Sequence, residues 1–270
     1  MNIHFTDRQL FENLKAATIA KVKVGSHLYG TNTEKSDEDF LYIYATSKAE
    51  LNSFITTHHQ LQFKENNTDH NFVSFHTFLR NCINGDSPIN FEVIQSRELV
   101  GTIIEFLHKY RKFFITYTVI RSYNGLVQRD IKQFNRAITD YAKYKKYGHI
   151  IRGIAYVESM LENKFDFLLL DHNLFNTEFI SEQFDLNPII LNYELEQLLK
   201  TATDQRKRLN DKLNEGSLKY AKILDATIAM ELHRETLRLT NSILWHEKQI
   251  LLDGFDMSYF INAHEHWVSY

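Results

Sequence analysis

The run from Lys21 to Tyr44 does most to limit what this chain can fold into. Lys21-Val22-Lys23-Val24 reads as a short strand, Gly25-Ser26 as a tight turn, and His27-Leu28-Tyr29-Gly30 as a brief helix. Ser36-Asp37-Glu38-Asp39 then leads into a second apolar strand, Phe40-Leu41-Tyr42-Ile43-Tyr44. Side chains alternate across a strand, so Asp37 and Asp39 share one face while Glu38, Phe40, Tyr42 and Tyr44 share the other. Neighbouring carboxylates repel, which raises the pKa of at least one unless a hard divalent cation sits between them. Mg²⁺ is the natural ion, with Mn²⁺ as an alternative. Gly25 lets the backbone turn close to a ligand, Ser26 can cap the helix that follows, and the exposed N–H groups suit phosphate oxygens. With 34 acidic residues in 270, chance alone supplies about four acidic pairs at this spacing. The information therefore lies in the composite, and the composite is the layout of a metal-dependent site for nucleotidyl transfer.

The rest of the chain divides into two styles. Thr6 or Asp7 can cap a first helix that carries Leu10, Phe11, Leu14 and Ala17 at helical spacing. After the second strand comes a polar, helical segment around residues 47–57. Extended pieces at 61–64 and 72–74 follow, then a helix near 75–83 closed by Asn84-Gly85-Asp86-Ser87-Pro88, and a further strand from Ile89 to Gln95. From about Arg97 onward Gly and Pro are sparse and helical periodicity takes over, as in Ile154, Val157, Met160 and Leu161, and in Leu218, Ala221, Leu224, Ile228 and Leu232. The pattern predicts an α+β protein: an N-terminal α/β module over residues 1–100 and an all-helical module over 101–270, with no flexible linker between them.

Val24-Gly25-Ser26, Gly30 and Ser36-Asp37-Glu38-Asp39 together resemble the signature of the DNA polymerase β nucleotidyltransferase superfamily. Within it, the likeness is to bacterial and phage nucleotidyltransferases described as associated with RNA repair. Further matching pieces are Asp69 with Phe75-His76-Thr77-Phe78-Leu79, Ser87-Pro88-Ile89-Asn90-Phe91-Glu92, Ser122-Tyr123-Asn124-Gly125 and Lys145-Lys146-Tyr147-Gly148-His149-Ile150-Ile151-Arg152, with a faint continuation at Gly216-Ser217-Leu218. The resemblance implies a polymerase β-like palm with a mixed sheet in the N-terminal module. It also implies Mg²⁺ and a nucleoside triphosphate, and an RNA or tRNA acceptor reached through a local basic patch.

Two-metal phosphoryl transfer calls for a third carboxylate. Glu92 interrupts the apolar run Phe91–Val93, and in the resemblance the third acid lies on a strand reached after an intervening helix, so Glu92 is preferred over Asp69, whose neighbours Thr68 and His70 are polar. Asp37, Asp39 and Glu92 are thus the expected catalytic residues, and these three with Asp69 the candidate metal ligands. Lys145, His149 and Arg152 recur at helical spacing and offer cationic help to the phosphates, beside Gly25 and Ser26. The rows Arg129, Lys132, Arg136 and Arg206-Lys207-Arg208 read as solvated helix faces. His58-His59 and His264-Glu265-His266 lack the further ligands that a zinc site needs.

A net charge of −3 excludes a global electrostatic footprint for nucleic acid. The single cysteine, Cys82, excludes an internal disulfide and reads as a small core residue in a reducing compartment. The first residues lack the basic-then-apolar pattern of a secretory signal, and no apolar stretch is long enough to span a membrane, so the cytoplasm is the expected setting. The expected activity is transfer of a nucleoside monophosphate to an acceptor hydroxyl with release of pyrophosphate. The alternatives are nucleotidylation of a protein or small molecule, toxin-like or regulatory, and a catalytically silent nucleotide-binding module.

Overall fold

Leu10, Phe11, Leu14 and Ala17 are all buried, and they bring the first helix, α1 (Ile3–Ala16), onto one face of a four-stranded sheet. The computed structural model describes residues 3–252 except 33, 35, 49, 51–60, 66, 186–189 and 216–225. Helix α1 begins upstream of Thr6 and Asp7, so both lie inside it rather than at its cap. Strands β1 (Thr18–Val24), β2 (Glu38–Tyr44), β3 (Leu61–Glu65) and β4 (Thr68–Ser74) lie in the order β1-β2-β4-β3. β1 and β2 are antiparallel, β2 and β4 parallel, β3 and β4 antiparallel. This mixed sheet and the helices that follow give the expected α+β class.

Alternation along β2 decides what each face meets. Phe40, Tyr42 and Tyr44 face α1 together with Phe72, while Leu41 and Ile43 join Val22, Val24 and Val73 in the main core. By the same period, Asp39 on β2 and Asp69 on β4 belong to the main-core face, at the end of the sheet where the apolar residues run out. A short helix, α2 (Ser26–Tyr29), links β1 to the segment before β2.

β4 runs directly into α3 (Phe75–Asn84), where the Ser74 side chain accepts a hydrogen bond from the Thr77 amide as an N-cap. Residues 89–95, expected as a strand, form helix α4 (Pro88–Gln95) instead. Ser87 caps it by accepting from the Asn90 amide, and Pro88 takes the first turn, where its missing N–H costs nothing. All six residues from Asn90 to Gln95 are buried. Burial on every side leaves no alternation of buried and exposed positions from 90 to 95, and periodicity then cannot separate helix from strand.

The remaining described elements are helices joined by turns and irregular segments. α5 (Phe106–Lys109), α6 (Tyr117–Phe134), α7 (Asp140–Leu161), α8 (Thr177–Asp185), α9 (Ile190–Asn214), α10 (Ala226–Thr240) and α11 (Ile243–Ile250) follow in order, with single 3-10 turns at Arg111–Phe114, Phe167–Leu169 and His172–Phe175. α6 and α7 pack along much of their length. Gly153 makes this possible, since a Cβ there would lie 2.6 Å from Val127 Cγ2. Ile154, Val157, Met160 and Leu161 are buried as their spacing requires, and so is Cys82.

One apolar core runs through Ile43, Val73, Phe78, Phe91, Phe114, Tyr156 and Trp245, continuous across the boundary expected near residue 100. Among the described residues no helix is long and apolar enough to cross a membrane. Most of the expected helix at 47–57, the run Leu218–Leu224, Gly216-Ser217 and the His58 and His264 clusters lie outside the described residues.

Candidate active site

The site starts from one backbone conformation. β1 is followed by Gly25 with φ 65° and ψ −140°, a region that glycine visits freely and L side chains rarely do. A Cβ at this position would lie 2.4 Å from Asp39 Oδ2. The turn can therefore close down on the carboxylate only because residue 25 has no side chain. Gly25, not Ser26, is the N-cap of α2, and no side chain caps this helix. Ser26 is its first residue, and its carbonyl accepts from the Thr31 amide at 2.9 Å.

Strand register supplies the partner of Asp39. Across the antiparallel pair Asp39 lies opposite Val24, and across the parallel pair it lies beside Asp69. Asp39 is half-buried, and its pKa is raised first by that burial, then by the charges of Asp69 and Asp37, against the opposing influence of Lys145 and His27. Four groups thus act on Asp39: Asp37 and Asp69 from the β2 and β4 ends, His27 from α2 and Lys145 from α7. Asp69 Oδ1 is buried and accepts no hydrogen bond, although Lys64 Nζ stands 3.6 Å away. His27 Nε2 is likewise buried without a hydrogen-bond partner.

Mutually repelling carboxylates with an unsatisfied buried oxygen fit a hard cation. Among the described residues no three His, Cys, Asp or Glu side chains converge tightly enough to enclose an ion unaided.

Glu92 lies elsewhere. On α4 it is 2% exposed and accepts hydrogen bonds from Tyr29 Oη at 2.5 Å and Tyr123 Oη at 3.0 Å. Burial raises its pKa, and Arg152 and the two tyrosines offset this only in part. The acids that act on Asp39 are Asp69 and Asp37, not Glu92. The strand register sets Asp69 beside Asp39. The preference for Glu92 rested on taking 89–95 as a strand of the sheet, and Glu92 is instead carried by helix α4.

Lys145, His149 and Arg152 all lie on α7 but do three different things. Lys145 acts on Asp39. His149 is held neutral, its pKa pushed down to about 3 by burial and by Arg152, Lys146, Lys145 and Arg129. Asp130 Oδ2, at 3.8 Å, is too far to restore its proton against them. The Arg152 guanidinium sits 4.2 Å from the Tyr29 ring centroid and pairs electrostatically with Glu92.

Sequence reasoning missed Asp130 and the tyrosines. Asp130 is 5% exposed and gathers Lys146 at 3.3 Å and Arg129 at 3.6 Å. An acid set in the apolar stripe Val127, Ile131, Phe134 was its signal. Tyr29 and Tyr123 lay inside the quoted motifs, but nothing in their spacing told that they share one buried acceptor.

The family model described as the RNA repair pathway DNA polymerase beta family matches residues 8–241. Among solved structures, the crystal structure of a nucleotidyltransferase-like protein from Exiguobacterium sibiricum 255-15 is similar at 14% identity, covering 92% of this chain and 86% of that one with a TM-score of 0.28. No curated protein matches the chain.

Proposed function

Because the chain belongs to the RNA repair pathway DNA polymerase beta family, a family of polymerase β-like nucleotidyltransferases, we propose that it transfers a nucleoside monophosphate from a nucleoside triphosphate to the hydroxyl of an RNA end. Asp39 and Asp69, with Asp37, would hold Mg²⁺, which when bound neutralises charge on the phosphates. The observation that carries this reading is the parallel register that sets Asp39 beside Asp69 under the Gly25 turn.

The chain's own groups divide the work of the displacement. The acceptor oxygen forms a bond to the α-phosphorus as the bond to the departing pyrophosphate breaks. Asp69, whose buried Oδ1 accepts no hydrogen bond and has Lys64 Nζ 3.6 Å away, takes the hydroxyl proton. Lys145 and His27, which already act on Asp39, face the negative charge that spreads over the phosphates. Gly25 and Ser26 present backbone to the outer phosphates. A silent binding module has no need to keep Asp39 beside a second carboxylate, Asp69, that raises its pKa, so catalysis is the better reading.

An RNA acceptor is supported by charge distribution. Residues 117–161 carry eight Lys and Arg against three Asp and Glu, in a chain of net charge −3. One of those acids, Asp130, is buried and spent on holding Lys146 and Arg129. Tyr141, which is exposed, and Tyr144 alternate with Lys143 and Lys145 at the start of α7, and cations interleaved with aromatic rings suit a single strand. The setting we propose is the cytoplasm, in keeping with a lone buried thiol.

The test supplies Mg²⁺, each α-labelled triphosphate in turn, and tRNA, RNA oligomers and cell extract as acceptors. Label should pass to RNA, and Asp39→Ala or Asp69→Ala should abolish it. Transfer that survives both changes refutes the site, and label found only on protein or a small molecule refutes the acceptor.

A further inference from the structure

Behind the carboxylates lies a buried group that the displacement itself does not use. Helix α2 has four residues, too few for its own hydrogen bonds to hold it in place, yet it must keep Gly25 against Asp39. Its last residue, Tyr29, provides the hold. Tyr29 Oη donates to Glu92 at 2.5 Å, the Arg152 guanidinium covers the ring at 4.2 Å, and the His172 ring lies 5.4 Å away. Glu92 also accepts from Tyr123 at 3.0 Å. Elements α2, α4 and α6 therefore meet at a single buried carboxylate, and α7 closes on this cluster through the Arg152 guanidinium over the Tyr29 ring. Arg152 follows Lys145 by two turns of the same helix, and Lys145 is the cation that acts on Asp39.

We propose that Glu92 is a positioning residue: through Tyr29, whose hydroxyl it holds and whose ring Arg152 covers, it fixes the Gly25–Ser26 turn against Asp39. A buried charged cluster is a weak device for stability alone, because desolvation offsets the attraction. What this one supplies is a fixed relation between four elements, two of which carry groups of the site. The inference deepens the reading of the site given above and depends on it only for the effect on turnover.

Tyr29→Phe tests it by removing the hydroxyl while keeping the ring under Arg152. In hydrogen–deuterium exchange without substrate, the amides of residues 26–31 should exchange about fivefold faster or more, as local opening becomes easier, with β1, β2 and β4 unchanged. Adding Glu92→Gln should accelerate residues 26–31 no further, since both changes break one link. In label transfer, kcat should fall about tenfold while KM for the triphosphate changes much less, the signature of a misplaced group rather than a lost binding contact. Unchanged exchange at 26–31 overturns the proposal. So does acceleration spread evenly over the sheet, which marks a purely structural role, and so does a double variant whose effects multiply. Absence of transfer by the unaltered protein would refute the proposed function, and the exchange result would still decide this inference.

Discussion

Gly25→Ala is the sharpest single perturbation of the site. The new Cβ would lie 2.4 Å from Asp39 Oδ2, whereas an ordinary contact needs about 1 Å more. Either the carboxylate or the turn must move by that distance. The backbone resists as well, since φ 65° with ψ −140° costs a residue with a side chain about 1–3 kcal/mol. Displacing a reacting group by about 1 Å lowers turnover by about 100-fold, so kcat for label transfer should fall by about that factor while the protein stays folded. The assay is single-turnover transfer from an α-labelled triphosphate, with far-UV circular dichroism and thermal melting run beside it. A Gly25→Ala protein with turnover within about threefold of the parent, a difference of under 1 kcal/mol, would refute the argument that the turn must touch Asp39.

Two further outcomes concern protons. Asp39 has a pKa raised in the folded chain by burial, Asp69 and Asp37, so the native state binds this proton more tightly than the unfolded one. Its contribution to stability therefore falls as pH rises from the ordinary carboxylate value through the raised one; Asp39→Asn should abolish transfer yet melt at a higher temperature than the parent at pH 7, without added metal. His149 shows the opposite linkage, with a native pKa of about 3 below the unfolded value, so its share of stability is present above about pH 6.5 and is lost as pH falls toward 3. NMR titration should find its ring neutral down to about pH 4, and His149→Gln should reduce the acid sensitivity of unfolding.

The parts of the fold that were legible in the sequence are those whose pattern is local. Strand β1, the Gly25 turn, the acids leading into β2 and the apolar face of α1 all announce themselves within a few residues. α4 did not, because complete burial erased its periodicity, although Ser87-Pro88 was the start signal of a helix. The placing of Asp69 was hidden for a different reason. It lies at the beginning of β4, before the apolar residues Phe72 and Val73, and only the pairing of β4 with β2 brings it to Asp39. That pairing is tertiary, and no spacing along the chain encodes it. The same limit hid the meeting of Tyr29, Glu92, Tyr123 and Arg152, which come from four separate helices.

The central claim is that Asp39 and Asp69, rather than Asp39 and Glu92, hold the ion with its triphosphate. Titrating Mn²⁺ into the protein with a nonhydrolysable triphosphate, and following free Mn²⁺ by electron paramagnetic resonance, tests it directly. Asp39→Asn and Asp69→Asn should each weaken binding by about tenfold or more, equivalent to about 1.4 kcal/mol, while Glu92→Gln should stay close to the parent. Tight Mn²⁺ binding that survives Asp69→Asn and fails in Glu92→Gln would contradict the account.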